Sequence, residues 1–377
     1  MYKHVKVIEF VMFCVLTTFA FAQGENSLLT VFQAGNDGYH TYRIPSLIKT
    51  SSGAMIAFCE GRKESISDAG NVDLVFKRSE DNGDTWGHLQ ILWDDSQNTC
   101  GNPCPVIDRT TGDIIMLMTW NRGDDSEDGI IEGTSKDTRR VFITRSKDDG
   151  FTWTKPEEIT TATKHPDWNW YATGPGIGIQ MAGEKYKNRL IIPCDHSDKN
   201  NKEMYSHVIY SDNGGKTWEY GKPVGVDTDE CQVVEIPDSK LLLNMRNYNS
   251  DYNCRAISIS EDGGINWGSL SYNSALIEPR CQASLIKHQL KSHDYLVFSN
   301  PADKKKRIRM TIKISDDYGK TWKYQRLVYE SPSAYSSLCS INEGEIGILF
   351  ECGEKKPYEK IVFQKVNIQQ IVGRKGK

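Results

Sequence analysis

Ser315-Asp316-Asp317-Tyr318-Gly319-Lys320-Thr321-Trp322 reads Ser-x-Asp-x-Gly-x-Thr-Trp, and the chain returns to this octet four more times. Ser79 to Trp86 (SEDNGDTW) and Ser146 to Trp153 (SKDDGFTW) repeat it in full. Ser211 to Trp218 (SDNGGKTW) has Asn213 in place of the Asp, and Ser260 to Trp267 (SEDGGINW) has Asn266 in place of the Thr. Successive octets start 67, 65, 49 and 55 residues apart. Recurrence at that period over most of a chain marks a repeat architecture. In each octet the Asp or Asn can accept hydrogen bonds from backbone amides just ahead. The Gly permits a positive φ, and the Trp returns the chain to the core. The approaches alternate apolar and polar residues, as in Val72 to Lys77 and Met310 to Ile314, the period of a half-buried strand. Each repeat is thus a strand, a tight turn and a strand. The octet lacks the run of carboxylates and the late Glu of a calcium loop, so it reads as a structural turn.

Working outward, the spacing predicts an all-β chain folded as a β-propeller, four-stranded sheets set radially about an axis. Dividing the 355 residues after Ala22 by a period of about 60 gives six blades, one of them without an octet. Glu345 to Phe350 and Lys360 to Val366 are expected to complete the last blades and close the ring against Ser27 to Phe32. Residues 1–22 read as a signal peptide: Lys3 and Lys6 lead, Val7 to Phe21 is mostly apolar, and Ala20-Phe21-Ala22 precedes Gln23 as a cleavage site. The expectation is an exported protein, secreted or periplasmic, with 23–377 as one propeller domain. No later stretch approaches the roughly 20 apolar residues of a membrane span. A net charge of -4 argues against nucleic acid as partner.

Nine cysteines remain after Cys14, without a Cys-x-x-Cys pair or a small disulfide framework. Cys100 and Cys104, flanking Gly101-Asn102-Pro103, read as buried small residues rather than a bridge. There is no His-Glu-x-x-His or other metal-ligand cluster, and the histidines look scattered. No metal or cofactor is called for. No Asn-x-Ser/Thr sequon occurs.

Tyr42-Arg43-Ile44-Pro45, followed by the octets, resembles the exo-α-sialidases (neuraminidases) of the bacterial and animal type, over essentially the whole chain after residue 22. The resemblance implies a substrate, terminal sialic acid on glycoconjugates, whose anomeric carbon carries a carboxylate. Planar arginine matches a carboxylate bidentately, and the family draws three arginines from different blades. Arg43 is the first. Arg246, in Leu-Leu-Leu-Asn-Met-Arg, matches the second, and Arg307, in Arg-x-x-Met-Thr-Ile, the third; Arg309 has the same strand parity and competes with it. Clustered guanidiniums need acidic support, and Glu351, in Ile-Leu-Phe-Glu, matches the glutamate that holds the first arginine.

The resemblance implies Tyr335, in Ser-Ala-Tyr-Ser-Ser-Leu, as nucleophile, since sialidases depart from the usual carboxylate. Deprotonating a phenol near pH 6–7 costs about 4–5 kcal/mol, so a base must share its proton. Glu230 matches that partner, with Glu235 as alternative. Asp68 matches the acid/base that serves the leaving oxygen, with Glu64 and Asp73 as competitors. Arg62 resembles an arginine near the ring hydroxyls. Trp120 and Asn169-Trp170-Tyr171 are candidates to line an acyl pocket, and Gly174 to Gln180 resembles a family stretch read as backbone geometry. The implied reaction is retaining hydrolysis, with trans-sialidase or a catalytically silent sialoglycan-binding propeller as alternatives; a monomer is expected.

Overall fold

The computed structural model describes residues 28–373; the signal-peptide reading lies outside them. The described strands form four continuous sheets that divide into six blades of four antiparallel strands, each numbered here from its inner strand outward. Blade 1 holds Thr41–Lys49, Met55–Arg62, Val72–Ser79 and Gln90–Trp93; blade 2 holds Thr99–Ile107, Ile114–Asn121, Arg140–Ser146 and Glu157–Glu158. Blade 3 holds Trp168–Thr173, Leu190–Asp198, Met204–Ser211 and Glu219–Tyr220; blade 4 holds Thr228–Ile236, Lys240–Asn247, Cys254–Ser260 and Ser271–Ile277. In blade 5, Ser284–Leu290, His293–Pro301 and Ile308–Ser315 are joined by the first part of Tyr324–Asn342. That long strand then crosses over to become the inner strand of blade 6, beside Glu345–Cys352 and Lys360–Asn367. The fold is a six-bladed β-propeller.

The ring closes by strand exchange between the chain ends. Leu29–Gln33 pairs antiparallel with Lys360–Asn367, Leu29 opposite Phe363 and Gln33 opposite Lys360, and so supplies the outer strand of blade 6. This also explains the missing octet. The octets occupy the turn from the third to the fourth strand, and in blade 6 that step is taken by the other end of the chain.

The five octets share one hydrogen-bond pattern. In the first, the Ser79 hydroxyl accepts from the Gly83 amide at 2.8 Å. Asp81 accepts from the Thr85 amide at 2.9 Å and from its hydroxyl at 2.6 Å. The two substituted octets keep the geometry: Asn213 Nδ2 donates to Thr217 Oγ1 at 2.8 Å, exchanging donor and acceptor, and Asn266 Nδ2 replaces the Thr hydroxyl as donor to Asp262 Oδ2 at 2.7 Å. The tryptophans pack against their own or neighbouring blades, Trp86 on Phe363 of blade 6 and Trp153 on Phe58 and Phe76 of blade 1. Gly83 is obligatory twice over: its φ is 88°, and a Cβ there would stand 2.2 Å from the Phe363 ring.

Register fixes which end of the propeller is which. In blade 1, Arg43 pairs with Glu60 and Arg62 with Val72 at one end, while Met55 pairs with Ser79 at the other. The octets therefore lie on the face opposite the arginines. The nine cysteines among the described residues are all buried and unbridged, Cys100 and Cys104 included. The histidines are less scattered than the sequence spacing implies. His165, His196 and His207 gather around Trp168 in blade 3, with His196 stacked on its indole at 3.7 Å. Adjacent strands of one sheet bring together residues that lie far apart in sequence.

Candidate active site

At the arginine end a cavity of about 370 Å³ opens on the axis. Arg43, Arg62, Asp68, Glu230, Arg246, Arg307 and Tyr335 all line it, and Glu351 stands directly behind Arg43. One local device delivers three of these side chains, Arg43, Glu230 and Tyr335: the inner strands carry bulges where they meet the cavity. The pairing register slips between Arg43 and Ser46, Gly101 and Cys104, Trp168 and Tyr171, Thr228 and Cys231, and Ser333 and Ser336. A bulge inserts an unpaired residue and re-aims its side chain. Consecutive residues such as Asp229 and Glu230, which strict alternation would place on opposite faces, thereby both reach the cavity.

Glu351 ties two of these bulges together. Fully buried, it accepts from Arg43 Nε at 2.7 Å and the Ile44 amide at 2.8 Å with one oxygen, and from the Tyr335 amide at 3.0 Å with the other. Ile44 sits at φ 61°, a strained conformation for a β-branched residue. The Glu351 bond to its amide helps hold it there.

The arginines surround Tyr335. The guanidinium carbons of Arg43 and Arg307 lie 5.2 and 5.6 Å from its ring centroid. Arg246 Nη1 donates to the Tyr335 hydroxyl at 3.2 Å and to Glu230 Oε2 at 2.7 Å, and its Nε lies 3.5 Å from Asp229. Arg246 Nη1 thus bridges the Tyr335 hydroxyl and the Glu230 carboxylate. Arg307 differs from the other two. Its hydrogen-bond partners are neutral, the Tyr358 hydroxyl at 2.8 Å and the Arg280 carbonyl at 3.0 Å. With no carboxylate within ion-pair distance among the described residues, its charge is left to attract an anion from the cavity.

Burial first, and the Glu230 charge second, push the Tyr335 phenol well above its ordinary range, against the pull of Arg246, Arg307 and Arg43. Burial likewise raises Glu230, with Arg246 opposing and Asp229 reinforcing. Asp68, on the loop after Arg62, has a side chain that is 63% exposed and lies 2.6 Å from Arg62 Nη2 and 3.8 Å from Arg43 Nη1. Partial desolvation works to raise it, but Arg62 and then Arg43 outweigh that and hold it below the usual carboxylate range. Glu127 belongs to the short helix Glu127–Glu132, started by the Ser126 cap and stopped by Gly133 at φ 74°. Desolvation at the cavity mouth, then the Asp229 carboxylate, push it up to about 7.

The competing candidates lie elsewhere. Arg309 is exposed and paired with Glu330 at 2.7 Å. Its φ of 65° and the register slip beside it break the parity it would share with Arg307. Glu235 accepts from the Ala182 and Gly183 amides and lines a second cavity at the opposite end of the axis. Asp73 is buried outside the pocket, holding the Tyr39 hydroxyl at 2.6 Å and Lys63 at 3.0 Å, and Glu64 is exposed beyond the lining. Of the expected acyl-pocket residues, Trp170 lines the cavity, stacked under Arg139 at 4.0 Å. Trp120 does not. Thr119 turns inward to Arg139, so alternation sends Trp120 the other way, where its Nε1 donates to Asp95 at 2.6 Å. Asn169 and Tyr171 also point away, to the Ile131 carbonyl and the Thr163 carbonyl. Sequence reasoning missed Glu60, Asn102, Glu127, Arg139, Asp195, Asp229, Tyr248 and Tyr358, all of which line the cavity. Only Asn102, set between two cysteines in Gly-Asn-Pro, carried a local signal.

A propeller with turn octets on one face and an arginine-lined pit on the other is a protein built to hold a small anion. The BNR repeat-like domain model matches residues 53–348. A sialidase of Bacteroides fragilis is 32% identical over 91% of this chain, and the chain spans 65% of that relative's length. An exo-alpha-sialidase of Aspergillus fumigatus is 28% identical over 89% of the chain and 86% of its own length. Among solved structures, a Hadza microbial sialidase superposes with a TM-score of 0.83 at 32% identity, over 91% of this chain and 69% of that one. The chain belongs to the sialidase family.

Proposed function

We propose that the protein is a retaining exo-α-sialidase that releases terminal α-linked sialic acid from glycoproteins, glycolipids and oligosaccharides. The observation that carries this reading is the convergence of three guanidiniums on one buried tyrosine, whose hydroxyl shares the Arg246 Nη1 donor with the Glu230 carboxylate. The sugar carboxylate sits between Arg43, Arg246 and Arg307. Tyr335 attacks the anomeric carbon as Glu230 takes its proton. The arginines stabilise the phenolate as it forms, which offsets the burial that keeps the free phenol protonated. Asp68 is ionised in the free site. An anionic sugar seated on Arg43 cancels part of the pull that keeps it so, and Asp68 can then take up the proton it delivers to the leaving oxygen. With the aglycone gone, Asp68 activates the water that releases the sugar from Tyr335 with the original anomeric configuration. No step requires a metal or cofactor.

A fluorinated sialosyl fluoride slows the second step and tests this order of events. The expected result is a covalent sugar on the peptide containing Ser333 to Ser337, absent from Tyr335→Phe, which still binds sialic acid. An adduct on Asp68 or Glu230 overturns the assignment, and a β-anomeric first product overturns double displacement. Transfer to a sugar acceptor in preference to water places the protein with trans-sialidases.

A further inference from the structure

Asp195 is a carboxylate that the reaction above does not use. It lies on the second strand of blade 3, lines the catalytic cavity and is fully buried. Both its oxygens lack a hydrogen-bond partner among the described residues. Its register partners are Ala172, which also lines the cavity, and Ser206, whose hydroxyl donates to the Asp229 carbonyl. Paired residues share a sheet face, so this face of blade 3 looks onto the bulge of blade 4 that carries Asp229 and Glu230.

The charged and titratable groups bearing on Asp195 are Asp229, Glu230 and the Cys231 thiol from blade 4, the Tyr171 phenol and Cys194 thiol of blade 3 itself, Glu127 from the helix at the cavity mouth, and Arg139 as the cation. His196 and His207 occupy the other face of blade 3, against Trp168 and Tyr171. A buried carboxylate with no donor and three neighbouring acids cannot keep a negative charge cheaply. Burial, then Asp229, Glu230 and Glu127, all push it well above the usual carboxylate range, with Arg139 opposing.

We propose that Asp195 is a positioning residue whose buried carboxyl carries a proton, so that the cavity holds one fewer negative charge when the sugar carboxylate binds and the Tyr335 phenolate forms. When Asp195 ionises, its charge is added to a cavity that must hold both the anionic sugar and a phenolate, and kcat/KM falls. The inference rests on the sialidase reading for its effect on rate, but not for the protonation itself.

Asp195→Asn, isosteric and unable to ionise, tests both parts. With each enzyme normalised to its own maximum, the alkaline limb of kcat/KM on an α-sialoside should lie about one pH unit or more higher in the variant. The second readout needs no substrate. A group whose folded pKa is raised makes the native state less stable as pH climbs from its unfolded value, about 3.9, toward the raised one. The Tm difference between variant and wild type should therefore grow with pH over that window, whereas a loss of packing shifts Tm equally at every pH. A pH-independent difference refutes the proton on Asp195, and an unmoved alkaline limb refutes its action on the reaction. Should Asp195→Asn fail to fold, Asp195→Ser, smaller and equally unable to ionise, carries the same two expectations. A wild type that releases no sialic acid defeats the sialidase reading and leaves the Tm test to decide the protonation.

Discussion

Removing Glu351 should damage stability and catalysis together, because one carboxylate holds three groups from two blades. Glu351→Ala leaves the buried Arg43 guanidinium without its counter-ion, and breaking a buried pair from one side costs about 3–5 kcal/mol. It also strips the acceptor from the Ile44 and Tyr335 amides, each worth about 1–3 kcal/mol when buried and unpaired. Water entering the vacated space offsets part of this, so a net loss of about 5 kcal/mol is expected. At about 2.1 cal/mol/K of unfolding entropy per residue, a chain of this size loses roughly 6–7 °C in Tm. Because Arg43 and the nucleophile loosen together, kcat/KM should also fall at least about a hundredfold, equivalent to about 2.7 kcal/mol of transition-state stabilisation. Glu351→Gln keeps an acceptor and loses the charge, and should fall between the two. Glu330→Ala breaks the exposed Arg309 pair and serves as control, with a loss of at most about 1 kcal/mol. Calorimetry and steady-state kinetics on a fluorogenic α-sialoside measure both effects. A Glu351→Ala protein within about 1 °C and threefold of wild type would refute the reasoning.

Three further outcomes follow from the geometry. Arg307→Ala should cost about a hundredfold or more in kcat/KM while Arg309→Ala stays near wild type; the reverse result would move the third arginine by two positions. Gly83→Ala should destabilise the fold by about 1–3 kcal/mol with kcat unchanged, since a left-handed turn and the Phe363 ring both oppose a Cβ far from the cavity; an unchanged urea midpoint contradicts this. His207, held neutral by burial with its pKa lowered to about 3, binds its proton only on unfolding. Stability should thus fall as pH drops below about 6.5, by up to about 1.4 kcal/mol per unit, and the slope should flatten in His207→Gln.

The fold was legible because the octet is a self-contained unit. Its Ser, Asp, Gly and Thr satisfy one another within eight residues, so the pattern survives in the sequence whatever the tertiary context, and even the two substituted copies keep the bond, one by swapping donor for acceptor and the other by replacing a hydroxyl donor with an amide. Ring closure was legible for a related reason. A chain with five octets in six blades leaves one outer strand to come from the other terminus, and Leu29–Gln33 supplies it.

The site was legible only where a residue sat in a recognisable string, such as Tyr42 to Pro45 or Ser333 to Leu338. Strand parity misled at Arg309, because the backbone leaves the strand conformation at that residue, and the acyl-pocket expectation failed at Trp120, because it sits on a regular strand whose inward face belongs to Thr119. The cavity is assembled at bulges, and a bulge leaves no periodic trace: it is a slip of register against a partner strand that the sequence does not name. Asp195 shows the limit most clearly. Nothing around it in Pro193-Cys194-Asp195-His196 marks it as different from a surface aspartate. Its character comes wholly from packing against blade 4, where Asp229 and Glu230 already crowd one arginine and no donor among the described residues reaches the third carboxylate. Charge on that side of the cavity is therefore limited by protons rather than by counter-ions.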